Sequence, residues 1–571
     1  MRPITSREAV NWFLQGSDSS RDGLKWQWYW AVLVALIVAG AYVGLVVTLD
    51  NTNLGTTNGL WKTPMVSAWG RGAHDPLDNG EFFYPVTYGH LTHLLPDSFF
   101  QYGVPAPEVT FRKMAMLNAL FGGMASGLFF LLACRFTGSR LTAAALALLH
   151  AGAGFVLLNS INSEDIIPAY TFLLGSMVCW FEFLYRGSKT PLVLSALFLA
   201  LATLFHWTVM APALAAFVAA YAFLARKQKT FLRIAAFWFC LFLVFIQALL
   251  FLVLPKLHIS LWMVLLPAKA DAGGWLGLFA EKFWYLLIGM GNYFSGAMNL
   301  TDYKAALGKR PILYSMIISW AYLAVTLSVC VIALLRKSSR EEKVLAIFAI
   351  VLFAVGEAGA VYSQPQDPQM QVEPMFATMA GAMLLVGRGR LATVPRSWVA
   401  GLLAVAAAAN GAWNIHLMRA SAGQDSEALA AIDEMERLFP RDRTIMVCIG
   451  WEGWTAWQYV VAWRGDSQRF LDSEVHLARP FTLNRGIDGV AAAKIAAQQI
   501  DAARQRGFRV VAAALWTESP DQMISSLTTV TTGAQAKTYD TILRKEYRTG
   551  THWNTRVGPF VEILPATPLS P

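Results

Sequence analysis

The sequence predicts a polytopic α-helical membrane protein that carries a separate α/β domain at its C-terminal end. Of its 571 residues, 56% are hydrophobic and 15% are charged, whereas an average soluble protein is about 45–50% apolar and about 25% charged. Long apolar runs recur up to residue 416, and a mixed amphipathic pattern follows them. Because a helix of about 20 apolar residues spans a bilayer, the first part is predicted to lie in a membrane.

The apolar runs predict about eleven crossings of about 17 to 25 residues each. The first run, near 28–49, is too long for a signal peptide and lacks a small-residue cleavage site, so it is predicted to stay as a span. The later runs lie near 114–134, 141–158, 169–185, 191–205, 208–224, 235–255, 311–335, 344–362, 374–387 and 397–416.

The distribution of Lys and Arg predicts the topology. The N-terminal tail 1–27 is basic, and so is every second loop after it: 135–140, 186–189, 226–233, 336–343 and 388–396. Positive loops stay in the cytoplasm, so the tail is predicted to be cytoplasmic, 28–416 to form the membrane module, and 417–571 to lie outside. The net charge of +9 has the same origin, and no nucleic-acid partner is predicted.

The segment 417–571 is predicted to fold as a small α/β domain. Helical patterns at 425–439 and 488–507 alternate with β-prone runs at 444–450, 508–516 and 558–564. The segment has no Gly-rich phosphate loop, no DxD and no GxSxG, so it is expected to cradle a substrate or brace the membrane part. Cys448 lies there without a CxxC partner, and is expected to be a packed core residue.

The first outside loop, 50–113, is predicted to be functional. It is long and aromatic, which is unusual for a tether, and its amphipathic stretches are expected to form a roof over a cavity between spans. Acids concentrate around that roof: Asp50 begins the loop, and Asp78 and Glu81 lie in its middle. Glu164 and Asp165 lie in the next outside loop.

Several segments follow one another in a particular order. The first loop carries DNTN (50–53), KTPMVSAWGRG (62–72) and EFFYPVTYGHLTHLLP (81–96), and a span follows that opens with FRKM (111–114). The acids of NSEDIIPAYTFLL (162–174) precede the next outside-to-inside span. LALATLFHWTVMAP (199–212) ends an apolar run with His206.

In this order the sequence resembles the GT-C superfamily of membrane glycosyltransferases, particularly the protein O-mannosyltransferase and aminoarabinose-transferase type. In that family an acid starts the first loop, a second acid precedes a later span, and a basic residue ends a further one. His206 stands in place of that basic residue, and Asn51 stands where the family often has another acid. The resemblance implies a GT-C-like fold in a bacterial inner membrane with a periplasmic C-terminal domain.

The resemblance also implies sugar transfer, with inversion, from a polyprenyl-phosphate donor to a lipid, glycan or protein acceptor at the outer face. Inverting transfer needs a carboxylate that deprotonates the acceptor hydroxyl, and Asp50 is predicted to be this base. Glu164 and Asp165 either orient the acceptor or complement the dipole of the helix that follows them.

The remaining candidate residues would bind the donor or line the cavity. The phosphate leaving group needs positive charge, and the candidate cations are Arg112, His206, Lys256, His258 and Lys269, with Lys304, Lys309 and Arg310. Residues predicted to contact the acceptor or line the cavity are Asp78, Glu81, Tyr84 and Glu357. Glu357 is included because an acid at membrane depth tends to face a cavity.

No cofactor is predicted, and a divalent cation is left open. His90 and His93 have helical i, i+3 spacing and would need His74 or Asp75 to hold one, whereas zinc takes three or four donors. Three other functions stay open: a transporter or flippase, a polymerase or ligase of lipid-linked glycans, and an inactive acceptor-binding subunit. Against transport, the sequence shows no internal repeat and no matching pair of broken spans.

Overall fold

The computed structural model describes most of both predicted parts. Described are residues 24–49, 63, 66, 83–97, 109–226, 228–253, 286–291, 293–296, 310–362, 371–387, 394–420, 424–448, 457, 460–461, 474–483, 486–513, 520–527 and 531–566.

Helices make up the described part of the membrane module. Their bounds are α1 Leu24–Thr48, α2 Phe83–His93, α3 Val109–Thr137, α4 Arg140–Ala151, α5 Gly154–Ile161, α6 Ile166–Arg186, α7 Lys189–Phe205, α8 Met210–Ala225, α9 Thr230–Val253, α10 Arg310–Leu335, α11 Arg340–Tyr362, α12 Val372–Leu385 and α13 Arg396–Ala420.

The chain is a polytopic α-helical membrane protein, as predicted. Among the described residues, seven helices are long and apolar enough to cross a bilayer: α1, α3, α6, α9, α10, α11 and α13. The helices α4 and α5 form a pair that is bent by 63°, and the number of spans rises to eight if this pair counts as one span. The helices α7, α8 and α12 are apolar but shorter. The predicted total of about eleven requires the bent pair and all three shorter helices to cross as well.

Close backbone packing sets the position of the first span. A Cβ atom added at Gly123 would lie 2.5 Å from the Ala35 carbonyl oxygen, and one added at Gly127 would lie 2.7 Å from that of Ala31. Residues four apart share one helix face, so these glycines let α3 approach α1 closely, as in GxxxG contacts between membrane helices.

The C-terminal part is an α/β domain, as predicted. Its elements are α14 Gln424–Leu438, β1 Thr444–Cys448, β2 Glu474–His476, α15 Arg479–Leu483, α16 Gly489–Gln505, β3 Arg509–Ala513, α17 Pro520–Leu527, α18 Gly533–Glu546, β4 Tyr547–Thr555 and β5 Gly558–Pro565. The sheet order is β2-β1-β3-β5-β4. The first three strands are parallel, whereas β5 pairs antiparallel with both β3 and β4.

The sheet has an apolar layer on each face. Alternate side chains of a strand point to opposite faces, and Val447 and Val475 belong to the layer that includes residues of α16 and α18. Met446 belongs to the other layer, with α14 and with Phe111 from the first turn of α3. Phe111 is fully buried, so the domain packs directly on the membrane module at the start of α3.

Candidate functional site

Helix α2, between α1 and α3 in the chain, forms one wall of the candidate site. In α2, Tyr84 and Tyr88 are one helical turn apart and fully buried, and their ring centroids lie 4.1 Å apart. Phe205, the last residue of α7, lies with its ring centroid 5.1 Å from that of Phe83 and 6.4 Å from that of Tyr88. The aromatic side of α2 is therefore packed against the end of α7, next to His206.

Tyr84 attaches α2 to the loop that carries the predicted acids, and Tyr88 attaches α2 to α3. The Tyr84 hydroxyl donates to the main-chain oxygen of Ser163 at 2.8 Å. The Tyr88 hydroxyl donates to Asn118 Oδ1 through a short hydrogen bond. Buried carbonyl groups need donors, so this arrangement satisfies the loop while fixing it in place.

Asn118 of α3 also bonds to this loop. Its Nδ2 atom donates to the main-chain oxygens of Asn162 at 2.8 Å and of Glu164 at 2.5 Å. The Asn162 side chain in turn accepts from the Glu164 amide at 3.2 Å, which closes an Asx turn. The Asn118 side chain and this local turn therefore hold residues 162–165 together with the Tyr84 hydroxyl.

Asp165 ends this loop and lies near His206. Its Oδ1 atom lies 3.8 Å from His206 Nε2, and both side chains are buried. Asp165 is the N-cap residue of α6, but its side chain makes no capping hydrogen bond. An acid that stabilises the start of a helix usually also accepts a capping hydrogen bond, and Asp165 does not accept one from α6.

The environment keeps the Tyr88 phenol protonated. Burial, together with the negative charge of Asp165, raises the pKa of Tyr88 well above its usual value of 10. The hydroxyl therefore stays a hydrogen-bond donor throughout the physiological pH range. On the far side of the ring of His206, the Nδ1 atom lies 2.5 Å from Thr208 Oγ1, which orients the imidazole.

The structure brings four of the predicted site residues near one another: Tyr84 bonds to Ser163, which directly precedes Glu164 and Asp165, and Asp165 lies beside His206. Arg112 is half-buried at the start of α3. Six other predicted residues lie outside the described residues: Asp50, Asp78, Glu81, Lys256, His258 and Lys269. The cations Lys304 and Lys309 also lie outside them, whereas Arg310 is the exposed first residue of α10.

Glu357 belongs to a second group of buried polar side chains, apart from the site above. It lies in α11, near Glu373 of α12, and both side chains are buried. A Cβ atom added at Gly356 would overlap Glu373 Cγ at 2.1 Å, so this glycine leaves the space that Glu373 occupies. Within the described residues, neither Glu357 carboxylate oxygen has a hydrogen-bond partner.

Sequence reasoning missed Tyr88 and Asn118. Each had a signal in the sequence: Tyr88 follows Tyr84 at i+4 on one helix face, and Asn118 is an amide within an apolar span. Polar residues in membrane helices usually bond across helices, and Asn118 does so.

The possible cation site at His90 and His93 stays a prediction. Both side chains are exposed on α2, and their partner candidates His74 and Asp75 lie outside the described residues. Within the described ranges, three side chains with metal-ligand chemistry come together elsewhere, namely Cys448, Glu474 and His476 of the C-terminal domain.

The overall chain trace is similar to those of solved structures. No protein-family model and no curated protein matches the sequence. Over 95% of this chain, the structure is similar to 99% of the crystal structure of ArnT from Cupriavidus metallidurans bound to undecaprenyl phosphate, with a TM-score of 0.49 and 12% identity. Over 94% of this chain, it is similar to 74% of the Archaeoglobus fulgidus oligosaccharyltransferase in the apo form, with a TM-score of 0.48 and 14% identity. At these scores the functional argument rests on the chain's own residues.

Proposed function

We propose that the protein transfers a sugar from a polyprenyl-phosphate donor to an acceptor at the outer face of the membrane. The observation that carries the proposal is the buried contact between Asp165 and His206 under α2, at the ends of α6 and α7. It places a carboxylate and an imidazole together in a membrane protein, where buried ionisable groups are costly and usually functional. The order of sequence segments that resembles GT-C enzymes points to the same residues.

The proposed reaction is one displacement with inversion. Asp50 accepts the proton of the acceptor hydroxyl, whose oxygen forms the new bond to the anomeric carbon of the sugar. The bond between that carbon and the phosphate oxygen breaks, and polyprenyl phosphate leaves with the electron pair. The proton on Asp50 then passes to water, which restores the base.

The leaving phosphate is negatively charged, so its departure is favoured by nearby donors and cations. We assign this role to His206 and Arg112, with Lys256, His258 and Lys269 as further candidates. Asp165 is the positioning residue of His206, from 3.8 Å. Glu164 and Tyr84 belong to the acceptor side, with Asp78 and Glu81 from the same outside loop.

The decisive experiment assays the purified protein for sugar release from a panel of polyprenyl-phosphate sugars. Wild type should consume at least one donor, and Asp50→Asn should lose about a hundredfold or more in kcat, since a general base contributes about 10²–10⁴. Asp442→Asn is the matched control, because Asp442 lies on the C-terminal domain with an exposed side chain. Near-normal activity of Asp50→Asn would remove Asp50 from the mechanism and leave the transferase function standing.

Transport is the second candidate, and the Glu357–Glu373 pair favours it. Buried acids on neighbouring helices are common in proton-coupled carriers. The transferase proposal is wrong if wild type consumes none of the donors but drives proton-coupled uptake of a solute into liposomes, and if Glu357→Gln abolishes that uptake.

A further inference from the structure

We infer that the C-terminal domain binds a divalent transition-metal ion of the zinc class through Cys448, Glu474 and His476. These residues lie on two neighbouring parallel strands, outside the site described above. Their donor atoms, one from each side chain, all lie within 4.8 Å of one another. The sequence gives little warning of this group, because Cys448 precedes the other two by more than twenty residues.

Strand register puts the three side chains on one face of the sheet. Cys448 is the register partner of His476, and Met446 is that of Glu474. Since residues two apart on a strand share a face, Glu474 and His476 point to the same side as Cys448. The Leu477 amide donates to the Cys448 carbonyl at 2.8 Å, which holds the two strand ends together directly beyond the group.

The donor atoms approach the spacing that a small tetrahedral ion requires, but the two ring nitrogens of His476 face different partners. Cys448 Sγ lies 3.5 Å from His476 Nδ1, and His476 Nε2 lies 3.1 Å from Glu474 Oε2. Bonds of about 2.0–2.3 Å to tetrahedral zinc separate its donors by about 3.3–3.6 Å. A rotation of the imidazole, with shifts on the order of 1 Å, would direct one ring nitrogen and both other donors at a common point.

The donor set selects the class of ion. A thiolate, an imidazole and a carboxylate suit Zn²⁺, Co²⁺ or Fe²⁺, whereas Mg²⁺ and Ca²⁺ prefer oxygen donors alone. Cys448 and Glu474 are buried and His476 is slightly exposed, with 12% of its side-chain surface accessible. Three protein ligands leave a fourth position for water or another ligand.

The position of the group gives the ion a structural consequence. Cys448 lies on the sheet face that also carries Met446, whose layer contains Phe111 of the membrane module. An ion here would join β1 to the short strand β2 on the face that packs against α3. The metal is therefore expected to stabilise the docked domain.

The test uses the full-length protein in detergent, purified with a tag that contains no histidine and stripped with a chelator. Titration with Co²⁺ should give a thiolate-to-cobalt charge-transfer band, and Zn²⁺ should bind at about one ion per chain and raise the melting temperature. Cys448→Ala should lose the band, whereas Cys330→Ala, which removes another buried thiol in α10, should keep it.

Two further variants keep the test decisive if Cys448→Ala does not fold. Glu474→Gln and His476→Gln retain the thiol and should bind Zn²⁺ at least about tenfold more weakly than wild type. The proposal is wrong if stripped wild type shows no thiolate band, or if Glu474→Gln and His476→Gln both bind Zn²⁺ as wild type does. Either result would leave a hydrogen-bonded Cys–His–Glu group without a metal, and neither depends on sugar transfer.

Discussion

The Tyr84 hydroxyl donates a 2.8 Å hydrogen bond to the main-chain oxygen of Ser163, and so joins the segment between α1 and α3 to the loop between α5 and α6. Tyr84 lies on α2, and Ser163 directly precedes the two predicted acids. The segment that carries Glu164 and Asp165 is therefore positioned by a residue from a different loop.

Tyr84→Phe should lower transfer activity about tenfold without unfolding the protein. The change keeps the ring but leaves the Ser163 oxygen without this donor, and an unsatisfied buried acceptor costs about 1–3 kcal/mol. The measurement is kcat and KM for the donor, with the melting temperature alongside. Tyr314→Phe is the control, because Tyr314 is 60% exposed on α10. Equal kinetics in both variants would show that the Tyr84 hydroxyl has no part in the site.

Asn118→Leu should have a larger effect than Tyr84→Phe. Leucine is apolar and of similar size, so the change removes three hydrogen bonds at once. Asn118 accepts one of them from Tyr88 and donates the other two to the main-chain oxygens of Asn162 and Glu164. We expect a lower melting temperature together with lower activity. Met124→Leu serves as the control in the same helix, since Met124 is 47% exposed. A variant as stable and active as this control would refute the positioning role of Asn118.

Asp165→Asn and His206→Gln should be non-additive. If Asp165 acts by orienting His206, the double variant should lose about as much kcat as the His206 variant alone. A mutant cycle on kcat for the donor measures this coupling directly. Fully additive losses would mean that the two side chains act independently despite their 3.8 Å separation.

Gly123→Ala should destabilise the membrane module by about 1–3 kcal/mol, because the added methyl group overpacks the contact between α1 and α3. Its Cβ would lie 2.5 Å from the Ala35 oxygen, which is backbone and cannot rotate away. Gly40→Ala is the matched control in α1, where a Cβ meets nothing within 4 Å. Thermal unfolding in detergent compares the two. Equal melting temperatures would contradict the close packing.

The extent of sequence prediction differed between the parts of the molecule. Apolar runs predicted the membrane helices because span length and hydropathy are local properties. The strands β1, β3 and β5 were predicted from their apolar runs, but β2 and β4 were not. β2 has only three residues, and β4 has the polar sequence YRTGTHWNT, so neither carries a strong periodic signal.

The candidate site shows a similar division. Glu164, Asp165 and His206 were singled out by their places near the ends of spans and Tyr84 by its place in the long first loop, and the structure brings them near one another. Asn118 was not, because its partners, the Tyr88 hydroxyl and two main-chain oxygens, all lie 30 or more residues away in the sequence. Such a pairing is invisible until the helices are packed.

By itself the sequence determined the membrane class, the approximate spans and the α/β character of the C-terminal part, because hydropathy and periodicity act over neighbouring residues. Only the tertiary structure decided that Tyr84 bonds to the loop between α5 and α6, that Asp165 approaches His206, and that Cys448 meets Glu474 and His476. The reason is that each of these contacts depends on helix packing or strand register, which join residues far apart in the chain.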